Sequence, residues 1–325
     1  MDDEQHSRAS PATGGRRRAP SHGKGHSAGW ARCDDCRVWS KDEVRRIARS
    51  LLPDEAAEAA VDAIRPGWRL EACPDAAPAS VRVGGPATLS KGEVWPRNAR
   101  EIPLTFLCEI DLRRLPPLPC EWADRVSVPT DAGVLRLFAD LVDDPYTPRV
   151  LISPLPGGEA HRASMPAVAD PLPSGGPRDT AAAEHRVGVL PEIGAQAVPF
   201  LTLPEWRPGT EWEQDKAWRD LGYLVRVERE LAWLRDPMRR GPDPWSISHV
   251  LGEPTSVQDD VRLAGRRDHD PDPDLRDPAA WSVLVALHSD HRLSIVDGGA
   301  YHVLLPSRDL DAQRWDRAVL DISSM

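Results

Sequence analysis

One layout occurs twice in this chain, and it constrains the fold more than any other feature. Near residue 80, Val83-Gly84-Gly85-Pro86 is followed by an apolar strand, Phe106-Leu107-Cys108-Glu109-Ile110-Asp111, and then by Gly133-Val134-Leu135-Arg136-Leu137-Phe138. Near residue 250, Leu251-Gly252-Glu253-Pro254 is followed by Val283-Leu284-Val285-Ala286-Leu287-His288 and then by Gly299-Ala300-Tyr301-His302-Val303-Leu304. A glycine close before a proline marks a corner, because one supplies unusual backbone angles and the other ends a ladder. A corner and two strands, repeated, predict two similar β-rich halves packed about one core. That specifies an architecture and not a reaction.

Local signals place the remaining elements. Residues 1–29 are polar and Gly-rich without periodicity, which predicts a disordered tail. Residues 30–79 read as a short helical extension. Ser40 and Glu43 form a capping box, Val44, Ile47, Ala48 and Leu51 share a stripe, and Pro53 ends the helix. An Ala-rich helix then runs from Asp54 to Ile64 and stops at Pro66-Gly67. From residue 80 short strands with Pro and Gly punctuation take over, and Leu115-Pro116-Pro117-Leu118-Pro119 is a rigid connector. Strands are expected at 106–111, 133–141 and 150–153, with a long loop over 154–186 and a short strand near Val187–Leu190. Thr210 and Glu213 cap a helix over 210–235. An Asp/Pro loop at 268–278 precedes strands at 281–287 and 301–305, a helix capped at Ser307 and a strand at 318–322. The expected class is α+β, with β-rich mixed or antiparallel sheets in two pseudo-repeated halves (about 80–205 and 245–325) and a few flanking helices.

Composition removes several function classes. The net charge is −10, and the one tight basic run, Arg16-Arg17-Arg18, lies in the tail, so a nucleic-acid partner is not expected. No apolar run approaches the roughly 20 residues that span a bilayer, and the first thirty residues lack a secretory apolar segment. With five irregularly spaced cysteines, this predicts a cytoplasmic protein without a disulfide framework or membrane association. Only Lys24, Lys41, Lys91 and Lys216 are lysines among 41 basic residues, and with abundant Ala, Pro and Asp this reads as a GC-rich bacterial genome. Twelve Trp stand against three Phe and three Tyr. Indoles fill cores but need a partner for the ring N–H, so some are expected at a core's rim or along a groove.

With these segments placed, the chain resembles the YwqG-like family of bacterial proteins of unknown function over roughly residues 80–325. Four stretches carry the resemblance: Gly84-Gly85-Pro86 with Glu93-Val94-Trp95-Pro96; Pro103 to Leu112 with Leu115-Pro116 and 133–138; His249 to Pro254 with Gln258 and Asp260; and Leu287-His288-Ser289-Asp290 with Asp297-Gly298-Gly299-Ala300-Tyr301 and Asp309-Leu310. The resemblance implies an α+β, β-rich domain and no activity. A Gln familiar in the first strand is Glu109 here, its counterpart in the second copy is Ala286, and an Asp familiar there is His288.

Candidate chemistry is sparse. His22, His26, Cys33 and Cys36 give four nitrogen and sulfur groups, but the pairs are close and a CxxC needs a second pair to be a strong zinc signal, so no metal is expected. Asp268, Asp270, Asp272 and Asp274 alternate like a calcium loop but lack its sixth-position glycine and twelfth-position glutamate. Gly-rich phosphate loops, nucleophile elbows and H-E-x-x-H are missing, and no cofactor is expected. What remains is a polar set: His249, Gln258 and Asp260 flank the second corner, Asp143, Asp144 and Tyr146 turn the chain in the other half, and Asp297 sits in a hairpin turn. If the halves pack about a pseudo-twofold axis, these converge between them; otherwise they satisfy turn backbone. The leading reading is a protein- or peptide-binding module, its acidic surface suited to a basic partner such as a toxin domain if this is an immunity-type protein. The alternative is a carboxylate-dependent, hydrolase-like enzyme with Asp297 beside Asp143 or Asp260.

Overall fold

The computed structural model describes residues 38–73, 79–126, 128, 130–141, 149–167, 189–204, 216–227, 247–254, 260–262, 272–289, 293, 295 and 299–323. All belong to the compact unit Cys36–Met325. The tail, the His/Cys set, the Thr210 cap and the Asp297 turn lie outside them.

Helix α1 (Lys41–Leu51) starts at the expected capping box: Ser40 N donates to Glu43 Oε2 at 3.0 Å and Glu43 N to Ser40 Oγ at 3.2 Å. After Pro53, α2 (Asp54–Ala63) buries Ala56, Ala57, Ala60 and Val61. These faces pack with Trp218, Leu221, Leu224 and Val225 of α3 (Lys216–Val227) against Trp122, Leu201 and Leu203. Most of the stability of such short helices comes from that shared apolar stripe.

Among the described residues twelve strands follow: β1 (Arg65–Ala72), β2 (Val81–Val83), β3 (Ala87–Ser90), β4 (Thr105–Asp111), β5 (Val134–Asp140), β6 (Arg149–Pro154), β7 (Ala160–Ala163), β8 (Ile193–Thr202), β9 (His249–Val250), β10 (Trp281–His288), β11 (Ala300–Pro306) and β12 (Val319–Ser323), with α4 (Ser307–Asp311) between the last two. Ten of them close into a barrel of order β1-β8-β2-β4-β5-β6-β12-β11-β10-β9, and β3 pairs with β7 outside it. The protein is β-rich with a few helices, as expected, but the halves do not form separate sheets. Closure joins them, because every barrel edge finds an antiparallel partner.

Three other expectations are corrected. The Ala-rich helix stops before Pro66-Gly67, as expected, but the chain then enters β1, which pairs along its whole length with β8, from Arg65↔Thr202 to Ala72↔Ala195. The strand placed near 187–190 lies further on, as β8. The 154–186 loop carries β7.

From the β1–β8 junction the barrel reads the same way in both directions. One path runs β1-β9-β10-β11-β12, the other β8-β2-β4-β5-β6, and they meet where Val319 pairs with Arg149. Register breaks fall at matching places, between Phe106 and Cys108 opposite β5 and between Val283 and Val285 opposite β11. Alternate residues fill the interior: Leu135, Leu137 and Ala139 of β5 meet Val285, Leu287, Tyr301 and Val303 of the other path. Several indoles sit where their N–H finds a carbonyl. Trp68 donates to Pro116 O at 2.8 Å, Trp95 to Leu104 O at 2.9 Å and Trp281 to Leu275 O at 3.0 Å.

The first corner depends on Gly84. Its φ is +58°, and a Cβ there would stand 2.4 Å from the Pro191 oxygen and 2.6 Å from the Leu190 oxygen. Gly84→Ala combines left-handed strain of about 1–2 kcal/mol with a backbone clash, so we expect it to cost about 2 kcal/mol or more. A melting temperature within a degree of wild type would contradict this.

Candidate functional site

The second corner is built by three strand ends. After β9 the chain turns through Leu251 at φ 55° and Gly252 at φ 93°. A left-handed leucine is costly; this one is held because its N–H donates to Leu284 O at 3.1 Å and its side chain is buried in the barrel core. Gly67 leaves room for it, since a Cβ there would lie 2.6 Å from the Leu251 oxygen. Glu253 N then donates to Thr202 Oγ1, which donates to Arg65 O, both at 2.7 Å. The first corner is held alike, with Gly84 N donating to Leu107 O at 2.9 Å.

Beside the second corner lies a nearly buried charge chain. Arg262 donates through Nε and Nη2 to Asp260 at 2.9 and 2.7 Å, and through Nη1 to Glu253 Oε2 at 2.9 Å. The three side chains keep 14, 6 and 10 % of their exposure. Burial pushes the Glu253 carboxyl above its ordinary range, while the Arg262 and Arg65 charges hold it back. Glu253 and Arg262 face a cavity of about 420 Å³, whose walls include Leu251, Trp281, Val283 and Leu310 and whose charged groups include Arg65, Arg125, Asp124 and Asp311.

The corresponding flank of the first corner carries ion pairs. Arg162 reaches Pro86 O at 3.2 Å and Glu192 at 2.9 Å, and Arg82 pairs with Glu109 at 2.8 Å. Behind them Arg136, fully buried, donates to Glu93 and Ser153 Oγ at 2.7 Å each and to Thr88 O at 2.9 Å.

The outer faces of the two paths differ in one row. Arg82, Glu109, Arg136 and Ser153 are neighbours across β2, β4, β5 and β6. The matching row across β9, β10, β11 and β12 reads His249, Ala286, His302 and Asp321. His288 joins it, its ring centroid 6.3 Å from His249 and 5.4 Å from His302. All three histidines are buried. Burial, aided by the Arg226 and His302 charges, lowers the His249 pKa to about 3, against the pull of its Ile247 carbonyl bond. Burial and the charges of His302, His249 and Arg226 hold His288 well below the ordinary histidine range. Among the described residues, no group of three or more His, Cys, Asp or Glu side chains is placed to hold a metal ion.

Of the polar set read from sequence, the structure describes His249 and Asp260. Asp260 belongs to the charge chain at the second corner, and His249 lies in the histidine row. Asp143, Asp144, Tyr146, Gln258 and Asp297 fall outside the described residues. Sequence reasoning missed Glu253, although it stands inside the corner motif, and Arg262, two residues from Asp260. Arg65, Arg125 and Asp311 carried no local signal; barrel closure brings them to the cavity.

A family model described as Domain of unknown function (DUF1963) matches residues 81–323. No curated protein matches the chain. No helix among the described residues is long and apolar enough to cross a membrane.

Proposed function

The chain belongs to the DUF1963 family, which assigns no activity, and we propose from its own geometry that it is a cytoplasmic interaction module that binds a segment of another polypeptide at the second corner. The observation that carries this reading is the cavity itself: an apolar wall with Trp281 in it, charged groups of both signs around it, and a rigid strand corner behind it. That composition suits a buried anchor surrounded by polar contacts. The matched paths support an internal duplication in which the second corner borders the cavity. The corner motifs are among those that carry the YwqG-like resemblance.

The test uses the exposed cavity residue Ala279. Tagged wild-type chain and an Ala279→Trp variant, which blocks the cavity, are used as bait in cells that carry the gene. The expected result is a protein retained by wild type and lost with the variant. Identical recovery with both would sink the reading.

A second reading has a specific observation behind it: Glu253 is a buried carboxyl shifted upward on a cavity wall, as a general acid requires. Against it, Arg262 ties both Glu253 and Asp260, which leaves no converging carboxylate pair there. An unchanged turnover in Glu253→Gln, for any hydrolysis found in the purified protein, would dismiss it.

A further inference from the structure

We infer that the second-corner cavity recognises a basic side chain, arginine or lysine, of a partner polypeptide, seated between Glu253 and Asp311; this rests on the binding reading above. The argument is which charges at the cavity are already used. Each guanidinium is engaged by the fold. Arg65 donates to Asp62 O and Ile64 O at 3.0 and 3.1 Å, Arg125 pairs with Asp62 at 3.3 Å and lies over the Trp122 ring, and Arg262 is shared between Asp260 and Glu253. The carboxylates are not matched in the same way. Among the described residues Asp311 has no ion pair or hydrogen bond. Asp124 has only Lys41, at 3.9 Å, and is largely exposed. Glu253 is 8 % exposed and, among the described residues, accepts one side-chain bond, through Oε2. The acceptor capacity left over at the cavity therefore lies on carboxylates, and the net charge of −10 extends a preference for cations over the surface. A long basic side chain also suits the walls, because its methylene stem packs on Val283 and Leu310 while the head reaches the carboxylates.

A displayed library of random hexapeptides, panned at low salt against the full chain, tests this. The expected pool has one position dominated by Arg or Lys. Its enrichment falls about tenfold or more against Glu253→Gln/Asp311→Asn, the loss of a charge-assisted bond, and vanishes against Ala279→Trp. Asp311→Asn alone changes an exposed residue and gives a partial loss even if Glu253→Gln impairs folding, which a melting curve detects. A pool blocked by Ala279→Trp but without a basic position, or rich in Asp and Glu, overturns the charge inference and leaves the binding reading standing. Basic enrichment that persists in the double variant does the same. No enrichment sensitive to Ala279→Trp overturns both.

Discussion

Lowering the pH from 7 to 5 is expected to remove about 2 kcal/mol of folding stability through His249 alone, and about 3 kcal/mol by pH 4. The sign follows from its two pKa values. The unfolded chain takes up a proton near pH 6.5, while the folded protein resists one until about pH 3, so protons favour unfolding throughout that interval. The stabilisation is complete above the unfolded value and disappears as the pH falls toward the folded one. His288 acts in the same direction. Glu253, held above the ordinary carboxylate range, acts in the opposite direction, since its proton favours the folded state. Comparing single variants separates these contributions. His249→Asn keeps a short N–H donor for the Ile247 carbonyl and has nothing to titrate; urea denaturation at several pH values should show a flatter slope between pH 6.5 and 4 than wild type. Superimposable slopes would contradict the buried, neutral state of this ring. Because a domain's whole stability is roughly 5–15 kcal/mol, an effect of this size decides whether the protein survives mild acid.

The second large effect lies on the other path. Arg136→Met should cost about 3–5 kcal/mol, because it leaves Glu93 without its buried partner and strands Ser153 Oγ and the Thr88 carbonyl. Burial alone pushes the Glu93 carboxyl up, but Arg136 and the Ser90 N–H pull it below its ordinary value, so the carboxylate is ionised and dependent on them. Adding Glu93→Gln to Arg136→Met removes the stranded charge and should recover much of the loss. The Lys91–Glu159 pair has nearly the same separation, 2.7 Å, but both side chains are about four-fifths exposed, and Lys91→Met should change stability by less than about 1 kcal/mol. Equal losses at the buried and exposed pairs, measured by urea titration, would refute the ranking.

The two rows explain what sequence did and did not reveal. Glu109 and Ala286 were placed as counterparts through the family resemblance, and they occupy the same rung in the two rows. Strands β4, β5, β10 and β11 were visible because their apolar residues alternate or run continuously, and α1 because its cap is a local hydrogen-bond pattern. β1 and β8 were not visible. Pro66 and Pro199 interrupt them, and a proline in a run argues against a central strand; each survives because its partner strand carries the rest of a long ladder. β7 is hidden for another reason: its residues are mostly exposed and polar, so it buries no periodic face. At the site, polar residues beside the second corner stood out, but Glu253, inside the corner motif, was given no role. The convergence of residues 65, 125, 253, 262 and 311 is a product of closure, which no local pattern encodes.

The location of the binding site can be read directly by crosslinking. A photoreactive residue replaces Ala279 beside the second-corner cavity or Arg162 at the first corner, in cells that produce the chain, and irradiation is followed by identification of what becomes attached. A polypeptide captured from position 279 and not from position 162 is the predicted result. Capture from 162 alone, or equal capture from both, would contradict the claim that the second corner receives a partner.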